Sequence, residues 1–556
     1  MENITELAAD YYTAWCENEP IYASVQGTPG YDAEVPDPTR EGSAAWDARL
    51  AGFAARVEAI DPETLHGEDR VTRDMLARTI RDDREAIAGG LGEIAVSATT
   101  SGVLAEMVAV VPMTNVGDPA LAEAYLTRLG KLGGYFDGLT GRYLQAVAEG
   151  RTPTERGVRQ TIAQIDGYLA NPVATDPMLR PRPEGVDTEA WRARGADIVA
   201  GSFRPALARY RAALAERILP TARGQEHVGV THVPGGAEAY RDAVRRHTTT
   251  EMTPEELHET GLALVAGLRE EFAERGGRAL GATGTAQVLT TLRTDPALRY
   301  TSAEEIVDTV TIALRRAEEA LPDAFKSYDI APCVVRPMDA TEAADSVLGY
   351  YLAPSGDGSR PGAHVVNTYR PDLRTRFEYE CLAFHESVPG HHLQLALGVA
   401  LTGLPDFRRY AYVTAHSEGW GLYTERLTDE LGLYTDELAK LGMVSFDAWR
   451  ACRLVVDTGM HYYGWSREKA IQYMLDNTAL SEANIVNEVD RYIAWPGQAL
   501  AYMVGRLRIQ AARDRAKKTM GDRFDLKGFH DQVLGHGSIP LDTMDGAIDR
   551  WAAATS

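Results

Sequence analysis

The sequence predicts a mostly α-helical protein with one small antiparallel β-sheet. Apolar residues recur at three- and four-residue spacing over 44–60 and 120–148, as they do in amphipathic helices. Capping sequences mark two further helix starts, at Thr253-Pro254-Glu255-Glu256 and at Ser302-Ala303-Glu304-Glu305. Only residues 333–369 have the β-branched and aromatic composition that is typical of strands.

Within that region, the segments 333–336, 347–352 and 364–369 are each predicted to be a strand. They directly precede a helix that carries several histidines. Two interpretations remain open: the sheet edge binds an extended peptide as an added strand, or the sheet merely covers a helical core.

The length and charge of the chain limit its organisation and its partners. For 556 residues we expect an N-terminal helical lobe over 1–325 and a C-terminal lobe over 326–556, integrated into one domain. The net charge of −23 argues against a nucleic-acid partner, since no basic stripe offsets it. The sequence leaves the oligomeric state open.

The lack of a recognisable targeting signal and the spacing of the cysteines predict a cytoplasmic protein. The N-terminal residues show no basic segment followed by an apolar core, and we find no apolar run of about 18 residues, so no membrane partner is expected. The four cysteines lack paired spacing, which favours reduced thiols: Cys16, Cys333, Cys381 and Cys452.

The segment His385-Glu386-Ser387-Val388-Pro389-Gly390-His391-His392 is a stretched form of the zinc-peptidase pattern H-E-x-x-H. In that pattern two histidines one helical turn apart bind zinc, and the glutamate acts as general base on a water. Here Pro389 occupies the place of the second histidine, so we expect the helix to bulge or kink at Pro389-Gly390. The pattern predicts His385 as the first ligand of a single Zn²⁺ ion and Glu386 as the base.

The second imidazole ligand is either His391 or His392. A bulge that absorbs two residues brings His391 to the normal ligand position, which favours it. His392 shares the face of His385 on an undisturbed helix, but about 10.5 Å further along the axis, so it is held in reserve.

The third ligand is expected on a downstream helix. Glu418 follows His391 at a distance that allows a helix, a turn and a returning helix. Glu425 lies on the same face two turns later and is either a partner of a ligand or a rival for the metal. The alternative to a metal site is a set of satisfied core histidines beside solvated glutamates.

Four motifs resemble those of the bacterial DUF885 family (domain of unknown function 885), through nearly the whole chain: HESVPGHHLQ at 385–394, EGWGLY at 418–423, RLVVDTGMH at 453–461 and PGQALAY at 496–502. The family is similar to the gluzincin metallopeptidases, which are helical enzymes that hold zinc with two His and one Glu. The resemblance implies a two-lobed, metallopeptidase-like fold with a deep cleft, and it supports His391 through the pair Gly390-His391. It also implies that His461 and Tyr502 are candidates for stabilising an oxyanion.

Basic residues near these motifs bear on specificity. Arg453, Arg491 and Arg506 are candidates for holding a substrate carboxylate, as in a carboxypeptidase or dipeptidase, or they are internal salt-bridge partners. Several tyrosines line a cleft or pack in the core: Tyr410, Tyr412, Tyr423, Tyr462 and Tyr463.

Together these observations predict a zinc-dependent hydrolase of peptide bonds. One alternative is a metal-dependent hydrolase of a non-peptide amide or ester. The other is a metal-free binding protein on a peptidase fold, in which Pro389 has destroyed the ligand geometry.

Overall fold

The computed structural model describes residues 3–99, 102–339, 343, 347–354 and 361–555, and it is mostly helical. Thirteen described α-helices precede the sheet: α1 Ile4–Asn18, α2 Pro20–Gln26, α3 Arg40–Glu58, α4 Gly67–Gly89, α5 Val103–Val110, α6 Pro119–Ala148, α7 Glu155–Ala170, α8 Thr188–Ile198, α9 Arg204–Ala213, α10 Gly236–Thr248, α11 Pro254–Leu280, α12 Thr285–Thr294 and α13 Ala303–Ala324.

Three strands and ten further described α-helices follow. The strands are β1 Val334–Pro337, β2 Gly349–Leu352 and β3 Ala363–Val366. The helices are α14 Tyr379–Glu386, α15 His391–Ala400, α16 Asp406–Arg409, α17 Thr414–Glu430, α18 Glu437–His461, α19 Arg467–Asn477, α20 Glu482–Ala494, α21 Ala501–Met520, α22 Leu526–Leu534 and α23 Leu541–Thr555.

The predicted helices are present where their sequence signals place them. Segments 44–60 and 120–148 fall in α3 and α6. The Thr253 side chain accepts from the Glu256 amide while Glu256 caps Thr253 in return, and Ser302 caps α13. Local capping therefore determined these helix starts, as the sequence predicted.

The small sheet is mixed, so the prediction of a purely antiparallel sheet is wrong for one strand pair. The strand order is β1-β3-β2, with β2 antiparallel and β1 parallel to the central β3. The chain passes through β2 before it enters β3, and β1 lies on the other side of β3. A parallel neighbour needs such a crossover, which the composition of the individual strands does not encode.

The histidine segment is broken into two helices, whereas a bulge or kink within one helix was predicted. Helix α14 ends at Glu386 and α15 begins at His391, with a cis peptide bond between Val388 and Pro389 in the link. A Cβ atom on Gly390 would lie 1.9 Å from the carbonyl oxygen of His385, so only glycine fits this close turn. The break places His385 and His391 at facing helix ends.

Helices α17 and α21 cross in close contact, and α17 carries the predicted ligand Glu418. A Cβ on Gly505 would lie 1.8 Å from the carbonyl oxygen of Ala415, and a Cβ on Gly419 would lie 2.4 Å from the backbone of Gly505. Two glycines therefore allow the backbones to approach each other and hold α17 in place.

We expect Gly505→Ala to lower the free energy of unfolding by about 1–3 kcal/mol, because the added methyl group has no space against the Ala415 carbonyl. Thermal unfolding measures the change. Gly267→Ala is the matched control: Gly267 lies in α11 with open space around its Cβ position, so the intrinsic helix preference for alanine should leave stability unchanged or raised. Equal unfolding temperatures for both variants would contradict the close crossing.

A large hydrophobic cluster contains residues from both predicted lobes, including Phe272 and Val310 as well as Trp420 and Leu454. Helix α11 packs along α18 across this core. The lobe boundary at residue 325 stays a prediction. Of the helices in the described ranges, none is long and apolar enough to cross a membrane.

Candidate metal centre

Helices α14, α15 and α17 bring His385, His391 and Glu418 together. Glu418 Oε2 lies 3.5 Å from His385 Nε2 and 3.5 Å from His391 Nε2, and the three ligand atoms all lie within 4.8 Å of one another. Two ligands of a tetrahedral zinc ion, each about 2.1 Å from the metal, are about 3.4 Å apart. The two distances from Glu418 to the imidazoles therefore match edges of a zinc tetrahedron, and the third pair lies within 4.8 Å.

The ring of His385 is fixed from two sides. Its Nδ1 lies 2.8 Å from Oε1 of Glu425, which is fully buried, so Nε2 is the nitrogen left for a metal. Gly421 supplies the space for the ring, because a Cβ at this position would lie 2.6 Å from His385 Cε1. A carboxylate behind a histidine ligand is a common arrangement in zinc sites, where it sets the tautomer and the ring orientation.

His392 faces away from this group. Its Nδ1 pairs with the Tyr351 hydroxyl at 2.8 Å and its Nε2 with the Ala331 carbonyl at 2.8 Å, so both nitrogens already have partners. By contrast, the Nδ1 of His391 is buried and makes no hydrogen bond within the described residues. The geometry thus brings His391, and not the reserve residue His392, to the candidate site.

Glu386 is the last residue of α14 and adjoins the ligand His385. Burial raises the pKa of its carboxyl, while the nearby His385 and His391 oppose that rise. Burial alone would lower the pKa of His385, but Glu418, Glu425 and Glu386 outweigh it and raise that pKa to about 9. The cluster holds three carboxylates against two imidazoles, an acidic excess that suits a divalent cation.

Two tyrosines lie beside Glu418. The Tyr412 hydroxyl donates to Glu418 Oε1 at 2.8 Å, and Tyr412 is half exposed, at 52%. Tyr502 is partly buried; burial raises the pKa of its hydroxyl, and the neighbouring Glu418 carboxylate raises it further. A cavity of about 950 Å³ reaches this edge of the site and is lined by Tyr410, Ala411, Tyr412 and Val413 together with residues of the N-terminal helices.

His461 has no nitrogen free for a substrate. Its Nδ1 accepts from the Val230 amide at 3.2 Å, and its Nε2 donates to the Tyr492 carbonyl at 3.0 Å. Burial lowers the pKa of this imidazole to about 4. These contacts are those of a core histidine that ties α18 to α20, and they set His461 apart from the candidate metal ligands.

The three predicted arginines differ in their surroundings. Arg506 is paired with Asp447, a buried carboxylate that also binds Arg426, so it has a structural partner. Arg491 donates to Gln498 at 2.7 Å and to Glu488 at 3.0 Å. Arg453 also contacts Glu488, but its guanidinium stacks on the ring of Tyr502, 4.2 Å from the centroid.

The sequence did not single out Arg450, which is one helical turn before Arg453. Its guanidinium is buried and lies near enough to Glu386 to oppose the burial-induced rise in that residue's pKa. The sequence signal that could have identified it is the spacing of Arg450 and Arg453, because residues three apart lie on the same face of a helix.

Residues 20–548 match a family described as "Bacterial protein of unknown function (DUF885)". The chain belongs to the DUF885 family. The match confirms the resemblance carried by the four motifs. This DUF885 protein shows no significant similarity to any curated protein.

Two solved structures share the fold of this DUF885 protein. One is "the putative lipoprotein from Colwellia psychrerythraea", with a TM-score of 0.91, 24% identity, and coverage of 99% of each chain. The other is "a putative lipoprotein of unknown function from Shewanella oneidensis", with a TM-score of 0.77 and 17% identity, covering 98% of this chain and 99% of that one. At these identities the likeness shows the fold alone.

These comparisons contradict the predicted cytoplasmic location. Both similar structures are described with the words "putative lipoprotein", which point to proteins that are anchored to a membrane or secreted. The prediction relied on the absence of a signal at the first residues and on unpaired cysteines. Neither feature excludes an exported protein, so the cytoplasmic location is withdrawn.

Proposed function

We propose that this DUF885 protein is a metal-dependent hydrolase of peptide bonds that holds one Zn²⁺ ion with His385, His391 and Glu418. The observation that carries the proposal is the convergence of two imidazole Nε2 atoms on one carboxylate oxygen, each 3.5 Å from it, beside Glu386. Two His and one Glu form a common donor set of catalytic zinc sites, in which a fourth position stays open for water or substrate.

The surroundings of the ligands also fit a metal. Glu425 holds His385 in the tautomer that presents Nε2, as ligating histidines require. Three carboxylates close together are costly to bury unless cations compensate them, and two imidazoles do so only when both are protonated. A divalent ion at the three ligand atoms would compensate the cluster and leave both imidazoles neutral.

Zinc at this position would polarise the scissile carbonyl group and lower the pKa of a bound water toward neutrality. Glu386 would accept the proton of the attacking water and deliver it to the leaving amine. Its partly buried position suits this role, because desolvation raises the pKa of the carboxyl and brings it nearer to the working pH.

The two tyrosines beside Glu418 are the candidates for orienting the carbonyl oxygen of the substrate. Tyr502 and Tyr412 are phenols at the edge of the cluster, and a neutral phenol donates a hydrogen bond to a developing oxyanion. Of the two residues predicted for this role, Tyr502 is retained and His461 is replaced by Tyr412, because both nitrogens of His461 are bound to backbone groups.

The proposal includes a distant relation to gluzincin metallopeptidases and a two-lobed body whose cleft admits the substrate. The donor set and the helical architecture support it. The cavity of about 950 Å³ beside Tyr412 has the size of a ligand site and would give a short peptide access to Glu418.

Metal content tests the proposal. Elemental mass spectrometry on the purified protein should find about one zinc per chain, as a single three-ligand site requires. His385→Ala, His391→Ala and Glu418→Ala should each lose the metal, since each removes one of the three ligands. His392→Ala is the matched control, because this neighbouring imidazole is buried but bound to Tyr351 and Ala331, and it should retain zinc.

Hydrolysis is then assayed on a mixed peptide library, with and without chelator. Zinc-dependent cleavage that is lost in the three ligand variants is the expected result. A wild-type protein that takes up no zinc when it is supplied, or that keeps zinc in all four variants, would refute the site. A zinc-loaded protein that cleaves no peptide would refute the activity but not the metal centre.

A further inference from the structure

Arg450 is a buried cation with no hydrogen-bond or ion-pair partner among the described residues. Its side chain is only 5% exposed, yet Nε and Nη1 are buried and make no hydrogen bond with any described residue. The guanidinium lies against the rings of Phe446 and Trp449, 4.4 and 4.3 Å from their centroids. Burying a charge with unsatisfied donors is costly, so a protein that keeps such a group has a use for an anion at that place.

Arg453 adds a second incompletely satisfied guanidinium one turn along α18. It is 3% exposed; its Nε donates to the Tyr492 hydroxyl at 2.8 Å and its Nη2 to Glu488 at 3.1 Å. The buried Nη1 has no partner among the described residues. Arg453 contacts the same Trp449 ring as Arg450, 4.6 Å from its centroid, so both guanidinium groups lie against this one indole.

The pair adjoins the candidate metal centre on two sides. Helix α18, which carries both arginines, packs against α14, which ends at Glu386, the proposed base. On the other side, Arg453 lies 4.2 Å from the centroid of the Tyr502 ring. Tyr502 belongs to α21, which packs closely against α17, the helix of Glu418. An anion held by both arginines would therefore be adjacent to the peptide bond that the metal centre is proposed to cleave.

We propose that Arg450 and Arg453 bind the free α-carboxylate of a peptide, which makes this protein a carboxypeptidase or a dipeptidase. A carboxylate accepts two parallel N–H donors from a guanidinium, and the C-terminal carboxylate is an anion that every linear peptide with a free C-terminus carries. The inference rests on the proposed peptidase function and specifies its substrate class.

The absence of an ion-pair partner makes Arg450 suitable for a clean substitution. Arg450→Met keeps most of the side-chain volume and removes a guanidinium that makes no hydrogen bond or ion pair with a described carboxylate. We expect its unfolding temperature to equal or exceed that of the wild type, because no described carboxylate loses a directly bonded partner. A purely structural arginine would instead lower the unfolding temperature when it is replaced.

Turnover is measured on a mixed tripeptide library prepared once as free acids and once as C-terminal amides. The wild type should cleave the acids faster than the amides. Arg450→Met should reduce the ratio of the two turnover rates by about ten- to a hundredfold, which corresponds to the loss of one charge-assisted hydrogen bond. Arg506→Met is the matched control: its partner Asp447 lies within the fold, so this variant should lose stability while keeping the ratio.

Binding gives a second, independent measurement. Equilibrium dialysis of the same two libraries against zinc-loaded Glu386→Gln should retain the acids more than the amides, and Glu386→Gln/Arg450→Met should lose that preference. Equal cleavage or equal binding of acids and amides by the parent proteins would overturn the carboxylate site while leaving the hydrolase proposal intact. Selective binding of acids without any cleavage by the wild type would uphold the site and refute the hydrolase.

Discussion

Glu386→Gln should leave the protein folded and zinc-loaded but reduce peptide turnover by about 10²- to 10⁴-fold, the usual contribution of a general base. The amide keeps the size of the side chain and contributes no metal ligand, since the three ligand atoms belong to His385, His391 and Glu418. It cannot accept the proton of the attacking water, so only the chemical step is lost. Steady-state kinetics and elemental analysis of the same preparation measure both quantities.

Glu380→Gln is the control for removing a carboxylate from the same helix. Glu380 is also buried in α14, but it pairs with Arg316 at 3.0 Å and caps the Thr435 amide at 3.0 Å, away from the metal ligands. We expect this variant to lose stability and to keep its turnover per folded molecule. A Glu386→Gln variant with wild-type activity would eliminate Glu386 as the base, and zinc loss in that variant would assign it to the metal instead.

The sequence predicted which side chains lie together at the candidate site better than it predicted the backbone that presents them. A bulged or kinked helix was expected because Pro389 removes one hydrogen bond, but α14 ends at Glu386 and α15 begins at His391. A bulge and a helix break would each bring His391 near His385. The preference for His391 over His392 therefore did not depend on predicting the break. The predicted side chains therefore lie together, although the predicted form of the helix was wrong.

The assignments that fail or change depend on contacts distant in sequence. His461 lies in a family motif, but its two partners come from α20 and from the segment before α10, and no local pattern reports them. The mixed sheet likewise depends on which strand lies between the other two. No sequence pattern explains the importance of Arg450, because its distinguishing feature is the lack of hydrogen bonds at Nε and Nη1 within the described residues, which only the packed structure reveals.

Gly421→Ala should weaken zinc binding by about ten- to a hundredfold, the range seen when groups that hold a ligand are disturbed. The new Cβ would lie 2.6 Å from His385 Cε1 and 2.8 Å from Nε2, well inside contact distance, so the ring must move. Zinc–ligand distances tolerate changes of only about 0.2 Å, and Glu425 holds the other edge of the ring. Competition with a chelator of known affinity measures the loss.

Gly398→Ala on α15 is the matched control, because its Cβ position has open space and alanine favours a helix. Its zinc affinity should equal that of the wild type, and circular dichroism should show both variants folded. Unchanged zinc affinity in Gly421→Ala would mean that His385 is not a ligand through Nε2, even if the ion is present. Weakened zinc affinity with intact helices would instead show that Gly421, which has no metal-binding atom, determines the position of His385. The missing side chain at this position lets α17 approach the imidazole that Glu425 orients.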